Sequence, residues 1–227
     1  MKKIKKYITL IFLGGVAVLS IALINGWRLD DYTVPKNRTR EQYDFEGTFE
    51  PMFKFLEQEK KDFTGLKGYI SRVYIEHGDE VKKYSVDLDI IQSDLKGDYT
   101  ITIGDKEEIA PVTYSNGKLT YSSEITPLFD EEILNLVVQR DYFASLDVKE
   151  TFKSAETELR DIIYKPENHS ELFKYLKNKY NMSEDTTCRI RLDHSSGTIY
   201  GISIRMESKD EAVQIDLTIF KQREDNQ

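Results

Sequence analysis

The stretch T-C-R-I-R-L-D-H-S-S-G-T-I-Y-G-I-S-I-R-M-E, residues 187–207, alternates apolar and polar positions almost without a break. Successive side chains of a strand point to opposite faces, so Cys188, Ile190 and Leu192 share one face while Arg189 and Arg191 share the other. Beyond D-H-S-S-G at 193–197, a turn composition, the apolar phase resumes at Tyr200, Ile202, Ile204 and Met206 and continues at Val213, Ile215, Leu217 and Ile219. The pattern predicts three antiparallel strands with one wet face. Cys188, in phase with Ile190, reads as a small buried apolar residue.

N-terminal to this sheet the period lengthens to that of helices. Leu172, Phe173, Leu176 and Tyr180 form an inward stripe behind Ser170, a capping residue, with Lys174, Lys177 and Lys179 turned to water. Phe152, Ala155, Leu159, Ile162 and Ile163 define a second helical stripe ended by Pro166, and Phe129–Leu146 a third, with Asp130–Glu132 acidic where the helix dipole favours them. A short amphipathic helix carries Phe49, Met52, Phe53, Leu56 and Phe63. Between them, residues 67–76, 82–92 and 98–104 are rich in Ile, Val and Tyr and are separated by H-G-D-E and D-L-K-G-D, which read as turns. In V-T-Y-S-N-G-K-L-T-Y, Asn116-Gly117 suits a two-residue hairpin that sets Tyr114 against Leu119 and Val112 against Tyr121. A meander of about five strands is expected here. G-Y-I-S-R at 68 and G-I-S-I-R at 201 match in too few letters to argue for a repeat.

The chain opens with Lys2, Lys3, Lys5 and Lys6, followed by an uncharged run from Tyr7 to Ile24. At about 1.5 Å rise per residue such a run reaches the thickness of a bilayer's hydrocarbon core, and the lysine bias would keep the N-terminus cytoplasmic. Residues 1–27 are therefore expected to be a signal anchor, with contact to the membrane through residues 7–27; Ser20 and Ala22 leave open cleavage near Ala22 and a secreted product. Residues 28–47, with Pro35, Asn37, Arg38 and Arg40, read as a polar spacer, 48–221 as an extracytoplasmic domain divisible into lobes at 48–125 and 126–221, and 222–227 as a frayed tail. Of 32 basic residues, four lie in residues 1–27, leaving 28 against 40 acidic ones and a net charge of −12 for the remainder, which argues against a nucleic-acid partner. With one cysteine no intramolecular disulfide can form.

Catalytic chemistry needs converging groups, and none of the familiar metal, nucleophile or phosphate-loop motifs is present. His77, His169 and His194 fall in turn-like or capping segments and read as solvated. Asp87 and Asp89 share a strand face, with Asp94, Asp98, Asp105, Glu107 and Glu108 nearby, but the spacing matches no calcium loop, and ordinary charges that discourage strand-to-strand association account for them. The sequence points to no catalytic residue, metal or cofactor. Arg189, Arg191 and Arg205 on the wet face form the best partner-binding surface, since guanidinium groups grip carboxylates or phosphates bidentately; Glu207 and Asp216 lie near them.

The segments K-G-D-Y-T-I-T-I, Y-S-N-G-K-L, D-E-E-I-L-N-L-V-V-Q-R-D-Y-F and E-L-F-K-Y-L-K-N-K-Y-N-M, with the closing strands from Arg189 to Phe220, resemble the tandem-type lipoproteins of staphylococci and related Gram-positive bacteria over about residues 66–220. The resemblance implies a surface-exposed protein of undetermined biochemical activity, some relatives being implicated in host-cell entry and in stimulating innate immune receptors through their lipid. It supplies no catalytic residues. The chain departs from the family at L-S-I-A-L-I-N-G, where the acylated cysteine would stand.

Taken together, the sequence predicts an α+β protein: an N-terminal transmembrane helix, then an ectodomain of two antiparallel sheets with about four helices. The expected role is a non-enzymatic, membrane-tethered cell-surface binder with a protein partner. The alternatives are a single-pass subunit of an envelope secretion or conjugation machine and a wall-polymer hydrolase using Asp87 and Asp89.

Overall fold

A computed structural model describes residues 34, 36, 38–56, 66–91, 94–115, 118–122, 140–154, 156, 159–167 and 170–221. The chain divides into two compact units, residues 1–43 and 44–227. In the first, the described residues open a helix, α1 (Arg40–Thr48), with a reciprocal cap. The Gln42 amide donates to Thr39 Oγ1 at 3.2 Å, and the Thr39 amide donates to Gln42 Oε1 at 2.9 Å. This T-x-x-Q cap starts the helix inside the stretch read as a spacer.

The second unit is built on a single sheet. Its strands are β1 (Leu66–His77), β2 (Glu80–Ile91), β3 (Asp94–Ile103), β4 (Lys106–Ser115), β5 (Lys118–Tyr121), β6 (Val148–Lys153), β7 (Arg160–Tyr164), β8 (Thr187–Ser195), β9 (Ile199–Glu207) and β10 (Glu211–Lys221). They lie in the order β5-β4-β3-β2-β1-β10-β9-β8-β7-β6, with every pairing antiparallel. Two five-stranded meanders are thus joined through their first and last strands, with Val73 opposite Ile215 and Tyr74 opposite Gln214. This overturns the expected fold class of two sheets in a balanced α+β domain: one ten-stranded antiparallel sheet dominates. The β1–β10 pairing spans residues far apart in the chain and leaves no local mark in the sequence.

The remaining described helices are α2 (Glu50–Leu56), α3 (Arg140–Ser145) and α4 (Glu171–Lys179). The Ser170 cap forms as expected, its Oγ accepting from the Phe173 amide at 3.3 Å, and Leu172, Phe173 and Leu176 are buried. Lys177 differs from expectation: its side chain is only 16% exposed, laid over the protein to reach Glu184 at 2.6 Å. A larger difference lies at residues 148–164, where the helical stripe is replaced by the β6–β7 hairpin, closed by the Ser154 amide on the Leu159 carbonyl at 2.9 Å. Ile162 and Tyr164 alternate into the core, while Phe152, the first member of the supposed stripe, is 51% exposed. D-L-K-G-D and Asp193-His194 also lie within strands, the second because the three-residue turn Ser196-Gly197-Thr198, with Ser196 (φ 55°) and Gly197 (φ 68°) left-handed, suffices to reverse the chain.

One apolar cluster runs along one face of the sheet, from Val86, Leu95, Tyr99 and Val112 to Ile162, Ile190, Ile204 and Ile215. Helix side chains close over it. Phe49 meets His194 and Tyr200 edge-on at 6.3 and 6.5 Å, and Phe143 packs between Phe53 at 5.3 Å and Tyr164 at 5.5 Å. Arg140 Nη1 reaches Glu50 at 3.2 Å and ties α3 to α2. Cys188 lies in this cluster as its phase requires, and burial pushes its thiol up to about 12. The expected hairpin register is also present, with Tyr114 opposite Leu119 and Val112 opposite Tyr121; the Asn116-Gly117 turn itself lies outside the described residues.

The reading of a membrane-anchored, single-pass location is corrected. No helix among the described residues is long and apolar enough to cross a membrane, and residues 1–27, which carried the anchor and cleavage readings, lie outside them. The transmembrane, signal and cell-surface assignments are withdrawn with it.

The sheet leaves one sharp steric test. A Cβ on Gly97 of β3 would collide with the main-chain carbonyl of Asp87 on β2, whereas one on Gly47 of α1 would meet nothing within 4 Å. Gly97→Ala should cost about 2 kcal/mol, or roughly 4–8 °C in Tm, while Gly47→Ala should be neutral or stabilising by up to ~1 kcal/mol. Thermal melts of both variants check this, and an unchanged Tm for Gly97→Ala would contradict the β2–β3 packing.

Candidate functional site

The face of the sheet opposite the core is polar. Strand alternation puts Arg189, Arg191 and Asp193 of β8 on it, with Ser203 and Arg205 of β9, Gln214 and Asp216 of β10, and Asp161 and Ile163 of β7. Cross-strand register sets Arg189 opposite Arg205, Arg191 opposite Ser203, and Arg205 opposite Gln214. The three expected arginines are thereby brought together: Asp161, Ile163, Arg189, Arg191, Ser203, Arg205 and Gln214 line one depression of about 250 Å³.

Each guanidinium has a different environment. Arg191 Nη2 pairs with Asp161 Oδ2 at 2.9 Å. Arg205 Nε donates to Glu207 at 2.9 Å and Nη1 to Gln214 Oε1 at 3.2 Å, and Nη2 lies 3.7 Å from Glu76. The Glu207 hydrogen bond in particular holds Arg205 still more firmly charged than usual. Gln214 passes the chain on, its amide donating to both Asp216 oxygens at 3.1 and 2.9 Å. Arg189 is exposed and, among the described residues, makes no ion pair or side-chain hydrogen bond. Arg189 and Arg205 are like charges directly opposite each other, an unfavourable pair that the Glu207 and Glu76 carboxylates offset on one side only.

Below the arginines the face turns acidic. Asp161 and Asp193 are opposite each other in register, and Asp193 projects over Gly201, where a Cβ would meet its Oδ1 at 2.5 Å. The glycine of G-I-S-I-R thus makes room for a carboxylate. Burial pushes the Asp193 carboxyl above its ordinary value; Arg191 pulls it down, and Asp161 and Asp216 push it further up.

Sequence reasoning found the three arginines, Glu207 and Asp216, but missed Asp161 and Ile163, because residues 152–163 read as a helix. Ser203 and Gln214 follow from strand register, which residues 187–219 already implied. His194 departs from the expected solvated turn: it is 8% exposed, stacked on Tyr200 at 4.3 Å, with Nδ1 2.9 Å from the Ile199 carbonyl. His77 is an exposed strand end 3.3 Å from Glu211, and His169 lies outside the described residues. Asp87 and Asp89 do share a face of β2, where Asp87 lies 3.7 Å from Arg72. Among the described residues no group of three His, Cys, Asp or Glu side chains could hold a metal ion.

No protein-family model and no characterised protein sequence matches the chain. Solved structures with a likeness to it include the Pseudomonas aeruginosa MucA/MucB complex (7% identity, 78% of this chain and 93% of that one, TM-score 0.30). Others are a protein of unknown function of the DUF3598 family from Nostoc punctiforme (8%, 74% and 51%, 0.20) and the Mycobacterium avium subs. paratuberculosis tesB protein (12%, 70% and 80%, 0.19). At such TM-scores none of them carries an argument about this chain.

The acidic half of the site yields a pH prediction. Because the folded value of Asp193 lies above its ordinary 3.8, the fold favours the protonated form; its contribution to stability is present at acid pH and lost as pH rises through the raised value. Asp193→Asn, which cannot ionise, should therefore raise Tm at pH 7, and the gain should vanish toward about pH 3.5. A lower Tm at pH 7 that recovers toward acid pH would show that Asp193 is stabilised as the carboxylate, and a pH-independent difference would show that its ionisation makes no contribution to stability.

Proposed function

We propose that the chain is a non-enzymatic binding domain of the tandem-lipoprotein type and that the polar face of β7–β10 is its binding surface. The observation that supports the reading most is the convergence of Arg189, Arg191 and Arg205 on one depression, with Arg189 left exposed and unpaired among the described residues. Interfaces favour arginine because a planar fork loses little freedom on pairing and gives direction as well as charge. Asp161, Asp193, Asp216, Glu207 and Glu76 share or border the face, so recognition there would rest on the directional fork of Arg189 at contact range and not on long-range steering.

Full-length protein and its Arg189→Glu variant, immobilised side by side and challenged with the same cell extract, test the reading. At least one protein should be retained by the wild type and depleted about tenfold or more on the variant, as expected when a charge at an interface is reversed. Identical sets of retained proteins would argue against this face as the binding surface.

A further inference from the structure

Resting on that reading, we infer that the depression takes a single carboxylate presented by an acidic peptide segment, with Arg189 as the principal fork and Arg205, Ser203 and Gln214 beside it. The site already displays this chemistry within the chain. Two of its three guanidiniums hold carboxylates at 2.9 Å, Arg191 that of Asp161 and Arg205 that of Glu207. The third stands directly opposite Arg205 with no such partner among the described residues. A carboxylate between Arg189 and Arg205 would replace their cross-strand repulsion with two charge-assisted contacts.

Charge and size narrow the ligand further. Asp161 lines the depression, while Glu207 and Glu76 sit on the far side of Arg205, so a phosphate dianion would meet carboxylates on two sides where a monoanion meets half the repulsion. The depression, of about 250 Å³, has room for a side chain. Ile163 is the apolar side chain that lines the depression; on β6 Glu150 stands opposite it, and the exposed Phe152 stands opposite Asp161. An inorganic anion gains nothing from such a flank, whereas a peptide bearing an apolar residue beside its carboxylate does.

The test uses the full-length protein titrated at low salt with acetylated, amidated Gly-Leu-Glu-Gly, with inorganic phosphate, and with the same peptide carrying Gln in place of Glu as control, followed through the Arg189 Nε–Hε resonance. The Glu peptide should shift that resonance saturably, phosphate should act more weakly, and the Gln peptide should do nothing. Arg189→Ala should weaken binding of the Glu peptide about tenfold, and Arg189→Lys should weaken it nearly as much, because the ammonium keeps the charge but loses the fork. Equal affinity in the wild type and Arg189→Ala, or full rescue by lysine, would overturn the fork assignment. Tighter binding of phosphate at Arg189 would overturn the carboxylate assignment while leaving the face as a binding surface. Silence toward both anions, together with capture insensitive to Arg189→Glu, would remove the binding-face reading as well.

Discussion

The antiparallel ladder between β1 and β10, from Leu66↔Lys221 to His77↔Glu211, is the constraint on which the rest of the fold depends. Each five-stranded meander could close on its own local hairpins, but each would then expose a long strand edge at its inner end, and an unpaired edge is both unsatisfied and open to association. Pairing the two inner strands satisfies both edges at once. Bringing together segments so far apart in the chain is entropically expensive only once, because loop-closure entropy grows slowly with length. In return the apolar faces of both meanders merge into one cluster, and Phe49 between α1 and α2, Met52 and Phe53 of α2, and Leu172 and Leu176 of α4 seal it.

That arrangement also makes the arginine face. With the described helices anchored in the core by Phe49, Phe143 and Leu176, the opposite side of β7–β10 is left to polar side chains. Strand register then lines charges up across the sheet: Arg189, Arg205, Gln214 and Tyr74 form one row, and Ile163, Arg191, Ser203, Asp216 and Arg72 the next. Neighbouring rows exchange ion pairs along the diagonal, and Arg189 is where this exchange leaves a guanidinium over. Its availability follows from register more than from local sequence.

What was legible in the sequence and what was not divide along physical lines. Residues 187–219 alternate with a period of two, so their strands, their buried face and the outward arginines could be read directly, and Tyr114–Leu119 followed from hairpin geometry. Residues 148–164 could not be read in this way. Phe152, Leu159 and Ile162 fall at helical spacing by the accident of a hairpin loop between them, and Phe152 ends on the polar face. With β7 misread, Asp161 and Ile163 could not be placed beside the arginines. His194 looked like a turn residue because S-S-G follows it, yet Ser196, Gly197 and Thr198 supply the turn and leave His194 to stack in the core. The T-x-x-Q cap at Thr39 is legible in the sequence, within a stretch whose overall composition reads as a spacer. The β1–β10 ladder has no local signature, and its absence from the sequence reading turned one sheet into two.

Backbone NOEs between β1 and β10 in the full-length protein test the central claim most directly. The account predicts cross-strand contacts between Val73 and Ile215 and between Tyr74 and Gln214, with β1 amides protected from exchange on both edges. Contacts displaced by one residue, or β1 amides exchanging as those of an open edge, would contradict it.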